Sequence, residues 1–152
     1  LHDTKQSQRA YEAYDTALTY DPNNVDCLNN YAYFLAVAGR RLPDAVRMAA
    51  RAVEISPSEV SYIDTYAWAL YRSRNYKAAR TQIDLLLQLL GDADANRAQD
   101  ANAAGYYDRA GDIYAALGLR KEALRFWKRA LQHTEDNALS KRLRTKIKRG
   151  RP

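Results

Sequence analysis

Four stretches of the chain carry the same ladder of residues. Ala10-Tyr14-Ala17-Pro22, Ala45-Ala49-Ala52-Pro57, Ala79-Ile83-Leu86-Gly91 and Ala123-Trp127-Ala130-Glu135 share spacings of four, three and five, and recur at intervals of 35, 34 and 44 residues. A repeat of this length is one structural unit that cannot bury its own apolar face, so the units must stack. A stacked array presents a long continuous surface suited to holding another molecule.

A second ladder precedes three of the four. It reads Leu28-Tyr31-Ala32-Leu35-Ala38-Gly39, Ile63-Tyr66-Ala67-Leu70-Ser73-Arg74 and Tyr107-Ala110-Gly111-Tyr114-Leu117-Gly118. The spacing is helical, with a small residue at a fixed point where a neighbouring helix can approach closely. Gly39 and Gly118 stand where a helix ends in a left-handed residue. The short turns that follow make consecutive helices antiparallel. The pattern predicts helices at about 5–20, 25–38, 43–55, 59–73, 76–90, 104–117, 120–133 and 138–148. Pro22 and Pro57 end helices, and Ser58 is the expected N-cap of the fourth. Between Gly91 and Tyr107 about ten residues are inserted, rich in Ala, Asp and Asn, and residues 92–103 read as a surface loop.

The segments YAYFLAVAG, DTYAWALYRSRNYKAAR and AGDIYAALGLRKEALRFWKRAL resemble tetratricopeptide repeats. The resemblance covers about residues 7–135. Gly91 and Glu135 stand where that family usually has Pro, and Arg74 where it often has Gly. It implies an all-α fold, an α-α superhelix of antiparallel helix pairs with a concave ligand groove. On this reading residues 1–152 form a single array. Residues 5–22 are the second helix of a truncated repeat, 25–57, 59–91 and 104–135 are full repeats, and 138–150 is a basic capping helix. The pattern also resembles the C-terminal array of larger bacterial cell-envelope proteins. No cap precedes the first ladder, so the array is expected to continue upstream or to stack against another copy through that edge.

The resemblance implies that the first helix of each pair lines the groove. The positions between its ladder residues are Asn29, Asn30, Tyr33 and Val37, then Asp64, Thr65, Trp68, Tyr71 and Arg72, then Asp108, Arg109 and Asp112. These are the candidate ligand contacts. Tyr and Trp anchor interfaces, and Asn can hold a peptide backbone by hydrogen bonds. Some members of the family grip a terminal carboxylate. Asp64 and Asp108 occupy places that would repel one, so a neutral or basic peptide is the better ligand.

The net charge of +6 is a property of the C-terminus. Lys141, Arg142, Arg144, Lys146, Lys148, Arg149 and Arg151 supply seven of the 24 bases, leaving 17 against 18 acids in the rest. That argues against a whole-surface nucleic-acid binder. Leu139, Leu143 and Ile147 form a stripe that should dock this helix on the last repeat, with the basic face solvated or in contact with an anionic surface or nucleic acid. His2 and His133 lack partners at metal-ligand spacing, and no Gly-rich phosphate loop is present. Gly105 and Gly111 read as close-packing glycines. Cys27, without a His at useful spacing, reads as a small half-buried residue. The sequence thus points to a noncatalytic scaffold with no cofactor and no metal. The partner would be a protein or peptide, and no stretch is apolar and long enough to cross a membrane.

Overall fold

The computed structural model describes residues 4–93 and 102–152, and the side chains of 4–91 and 102–152. These residues form eight helices and no strands: α1 (Lys5–Tyr20), α2 (Val25–Ala38), α3 (Leu42–Ile55), α4 (Val60–Arg72), α5 (Tyr76–Ala93), α6 (Ala103–Ala116), α7 (Arg120–Gln132) and α8 (Asn137–Arg149). No helix among them is long and apolar enough to span a membrane.

Local chemistry sets the helix ends. Thr4, Asn24 and Asp136 accept backbone N–H bonds from Ser7, Cys27 and Leu139, so each is an N-cap. Gly39 closes α2 at φ +67°, with its N–H and that of Arg40 returning to the last turn. Gly118 and Arg74 adopt the same left-handed conformation after α6 and α4.

Most helix ends fall within a residue of the sequence reading, and the departures that have a local cause are these. The N-cap of α4 is Glu59, not Ser58, because the Glu59 carboxylate reaches the Ser61 N–H. α3 begins at Leu42, one residue early, since Arg41 turns left-handed ahead of Pro43. α5 runs through Gly91 to Ala93 and α6 starts at Ala103, so both ends of the expected 92–103 loop are helical; residues 94–101 of that loop lie outside the described residues, as does His2.

The helices gather into two compact units, one reaching Arg74 and the other starting at Asn75. In the first, α2 packs on α3 and α4, and α1 on α2. Its core joins Leu28, Tyr31, Ala32 and Leu35 of α2 to Ala45, Met48, Ala49 and Ala52 of α3. Alanines at the ladder positions bring the helix axes together, and aromatic rings fill the wider gap toward α1. Tyr14 stacks on Tyr31 at 5.0 Å, and Tyr11 meets Phe34 edge-on at 5.4 Å. Tyr62 donates to Asp26 at 2.7 Å and ties the first turn of α4 to α2; this bond pushes the phenol up to about 12.

In the second unit α6 packs on α5 and α7, and α8 on α7. Trp127 of α7 is fully buried against Gly111 of α6, where an added Cβ would lie 2.3 Å from the indole. Gly111 is therefore a true close-approach glycine. Gly105 is not, because nothing lies within 4 Å of a Cβ built there. Leu143 of α8 is fully buried, flanked by half-buried Leu139 and Ile147, so the expected stripe is the docked face.

Candidate functional site

The candidate groove residues fall in both units, and the structure gives them different roles. On α2 the ladder Leu28, Tyr31, Ala32 and Leu35 is buried, which turns Asn30, Tyr33 and Val37 outward and leaves Asn29 at the edge of the packed face. Tyr33 is 45% exposed and Val37 54% exposed, large values for apolar side chains on a packed helix. Asn29 is half-buried, and its Oδ1 is a buried acceptor without a hydrogen-bond partner among the described residues. Such an atom costs about 1–3 kcal/mol until a donor reaches it. Asn29, Tyr33 and Val37 lie at i, i+4 and i+8, so they share one face.

On α4, Trp68 and Tyr71 are half-buried and stack at 5.1 Å with an interplanar angle of 16°. Trp68 also packs against the first-unit core. Thr65 is buried, and its hydroxyl donates to Ser61 O within its own helix. Asp64 is buried as well. Arg72 sends its Nε to Ala36 O at 3.0 Å, placing a cation on the carbonyl end of α2. Arg72, expected as a ligand contact, therefore serves as a cap for a neighbouring helix.

On α6, Asp108 and Asp112 do not stand open to a ligand. Asp112 is 7% exposed and accepts from Trp127 Nε1 at 3.1 Å. Lys146 of α8 donates to Asp108 Oδ1 at 2.8 Å and to both Asp112 oxygens at 3.0 and 3.1 Å. Burial is the largest influence on Asp112 and pushes its carboxyl up to about 6; Lys146 opposes the rise and Asp108 adds to it. Burial works against the Lys146 ammonium, but the two carboxylates outweigh it and hold the group above its usual value. Arg109 is half-buried beside them.

Lys146 is the residue that sequence reasoning misplaced. It was expected among the solvated cations of the tail, yet it points inward. A signal was present, since Lys146 follows Leu143 by three residues and Leu139 by seven, on the same face as the docking stripe. The remaining tail cations, Lys141, Arg142, Arg144, Lys148, Arg149 and Arg151, are exposed. Cys27 is buried with its thiol raised, first by burial and then by Asp15. No group of three or more metal-ligating side chains gathers among the described residues.

A tetratricopeptide repeat profile matches residues 13–47. No curated protein matches the chain in sequence. Among solved structures, the first TPR domain of the human RPAP3 protein is similar with a TM-score of 0.66 at 20% identity, over 85% of this chain and 93% of that one. The first TPR of Spaghetti (RPAP3) bound to HSP90 peptide SRMEEVD gives a TM-score of 0.64 at 20% identity, over 85% and 94%. MamA gives a TM-score of 0.63 at 17% identity, over 99% and 94%. The matched segment takes in the second half of α1, all of α2 and the start of α3, and the chain has the all-α helical-repeat fold of tetratricopeptide-repeat domains.

Proposed function

We propose that this chain is a noncatalytic binding module that holds a peptide or helix of a protein partner on the α2–α4 face of its first unit. The observation that carries the reading is Asn29. Its Oδ1 is buried and unpartnered, one turn from exposed Tyr33 and two from exposed Val37. Turning the Asn29 amide outward would bring that acceptor to a peptide N–H, while the peptide's side chains cover Tyr33 and Val37. Stacked Trp68 and Tyr71 offer a second aromatic platform on α4. The similar RPAP3 domain was solved with a bound HSP90 peptide, which supports a peptide-holding role for this fold.

The ligand differs in charge. Arg72 is committed to Ala36 O, and Asp64 stays on α4, so a neutral or basic extended segment suits this face better than a terminal carboxylate. The test is selection of peptides from a random library on the whole chain, followed by titration of the best binder against Asn29→Ala and Tyr33→Ala. Each variant should weaken binding about tenfold, the equivalent of one lost hydrogen bond or anchor, with the helical circular dichroism unchanged. Equal affinity of both variants and the parent would remove the α2 face from the reading.

A further inference from the structure

The segment 120–152 carries twelve Lys and Arg against three acids, Glu122, Glu135 and Asp136, a net charge of +9. One base is neutralised inside the fold, since Lys146 belongs to the Asp108–Asp112 cluster. The rest surround α7 and α8, which pack side by side. On α7, Lys121, Arg125 and Lys128 lie at i, i+4 and i+7, so they form one exposed stripe, and none makes an ion pair with a described residue. A stripe this dense in unpaired cations repels itself and favours an anionic partner.

The neighbouring stripe of α7 has different chemistry. Glu122, Arg125, Phe126 and Arg129 line an open pocket of about 330 Å³ together with Tyr114 of α6. Its floor is aromatic. Tyr114 and Phe126 meet edge to face at 4.9 Å, and Tyr114 is held in place by its hydroxyl bond to Asp84 at 2.6 Å and by Arg80 over its ring at 4.9 Å. Arg125 borders both the pocket and the cationic stripe. An apolar seat thus opens directly beside a row of positive charge.

That pairing selects among anionic partners. A nucleic-acid duplex satisfies the cations with its phosphates but keeps its bases stacked away from the pocket. An anionic membrane needs an apolar side chain to insert, and every exposed large hydrophobic residue among those described (Tyr20, Tyr33, Val37, Ile55, Leu85) lies outside segment 120–152. An acidic protein segment with one large apolar residue uses both features. We propose that the α7 face is a second docking surface, separate from the α2–α4 face, for such a segment. Its apolar side chain seats on Tyr114 and Phe126, and its carboxylates meet Lys121, Arg125 and Lys128. Glu122, at the pocket edge, sets the direction by repelling acids on its own side. The cations of α8 add long-range attraction that speeds encounter at low salt.

The test uses fluorescence anisotropy of the full chain with a labelled Glu-rich peptide carrying a single central Leu, and the same peptide with Gly in place of Leu. The Leu peptide should bind, and the Gly form should bind about tenfold or more weakly, as loss of one buried Leu requires. Arg125→Glu should weaken both peptides. Phe126→Ala should remove the difference between them. Because Phe126→Ala disturbs packing around Tyr114, the Leu-to-Gly comparison on the unaltered chain carries the decision. Equal binding of the two peptides, no binding of the Leu peptide, or displacement of both by a short duplex or single-stranded DNA with a steep salt dependence would each overturn the proposal, the last in favour of a nucleic-acid surface.

Discussion

Lys146 Nζ lies 3.0 Å from Oδ1 and 3.1 Å from Oδ2 of Asp112, and a third bond of 2.8 Å reaches Asp108, so one ammonium of α8 serves two carboxylates of α6. The side chains of all three are largely shielded, at 17%, 20% and 10% exposure for Lys146, Asp108 and Asp112. Removing one partner of such a cluster strands the other charges in a poor solvent. Lys146→Met should therefore cost about 3 kcal/mol in urea unfolding. It should also raise amide exchange along 137–149 more than elsewhere. Wild-type exchange in α8 would show that the apolar stripe alone docks this helix. Asp112→Asn keeps an acceptor for Trp127 and leaves the Asp108–Lys146 pair, so its cost should stay below about 1.5 kcal/mol.

Asp112 also sets a pH dependence. Its carboxyl is raised from 3.8 to about 6 by burial. Between those values the folded chain keeps a proton that the unfolded chain has lost. The stability from this group is then fully present below the unfolded value and is lost as the pH rises through the folded one. Unfolding free energies of the parent and Asp112→Asn, measured near pH 4 and near pH 7, should show the variant gaining on the parent at the higher pH. A difference that is the same at both would contradict the burial argument.

Gly111 and Gly105 sit on the same helix with opposite surroundings. Gly111→Ala would place a Cβ 2.3 Å from the fully buried Trp127 indole, so the ring or the helix must shift. The expected cost is about 1–3 kcal/mol, with a changed tryptophan emission spectrum. Gly105→Ala meets nothing within 4 Å and should stabilise by about 0.5–1 kcal/mol through helix propensity. Thermal melts of the two variants should move in opposite directions.

Arg74 adopts φ +63°, a left-handed conformation that disfavours a Cβ. Arg74→Gly should relieve about 1 kcal/mol of that strain, partly offset by the greater freedom of Gly in the unfolded chain. Chemical denaturation should give a small net stabilisation. Arg41, at φ +45°, should behave otherwise. It donates to Asp44 at 2.9 Å and to the Tyr31 hydroxyl at 2.6 Å, so Arg41→Gly should destabilise in the same assay.

Helix number and order were readable in the chain because ladder residues recur with a period set by the helix itself. Ala45, Ala49 and Ala52, or Ala123, Trp127 and Ala130, can be buried together only on one face of a helix, and they are. Departures cluster where two adjacent side chains could cap one helix, as at Glu59 against Ser58, or where a polar insert gave no periodic signal to mark the end of α5. For the candidate site, outward positions on α2 followed from the buried ladder between them. On α4 and α6 the same rule placed Arg72, Asp108 and Asp112 in the right direction but could not say what else would arrive there.

That division has one physical cause. Periodicity and capping act between residues a few positions apart, so the sequence by itself determined the eight helices, their buried stripes and the left-handed turns at Gly39 and Gly118. Partners of polar groups are chosen across helices: Arg72 finds Ala36 at a separation of 36 residues, and Lys146 finds Asp112 at 34. Charge alone does not encode such a pairing, because any exposed cation satisfies any exposed acid about equally well. Only when packing buried Asp112 beneath α8 did one lysine become its specific partner. The tertiary structure thereby turned two expected ligand residues into the fastening of the last helix.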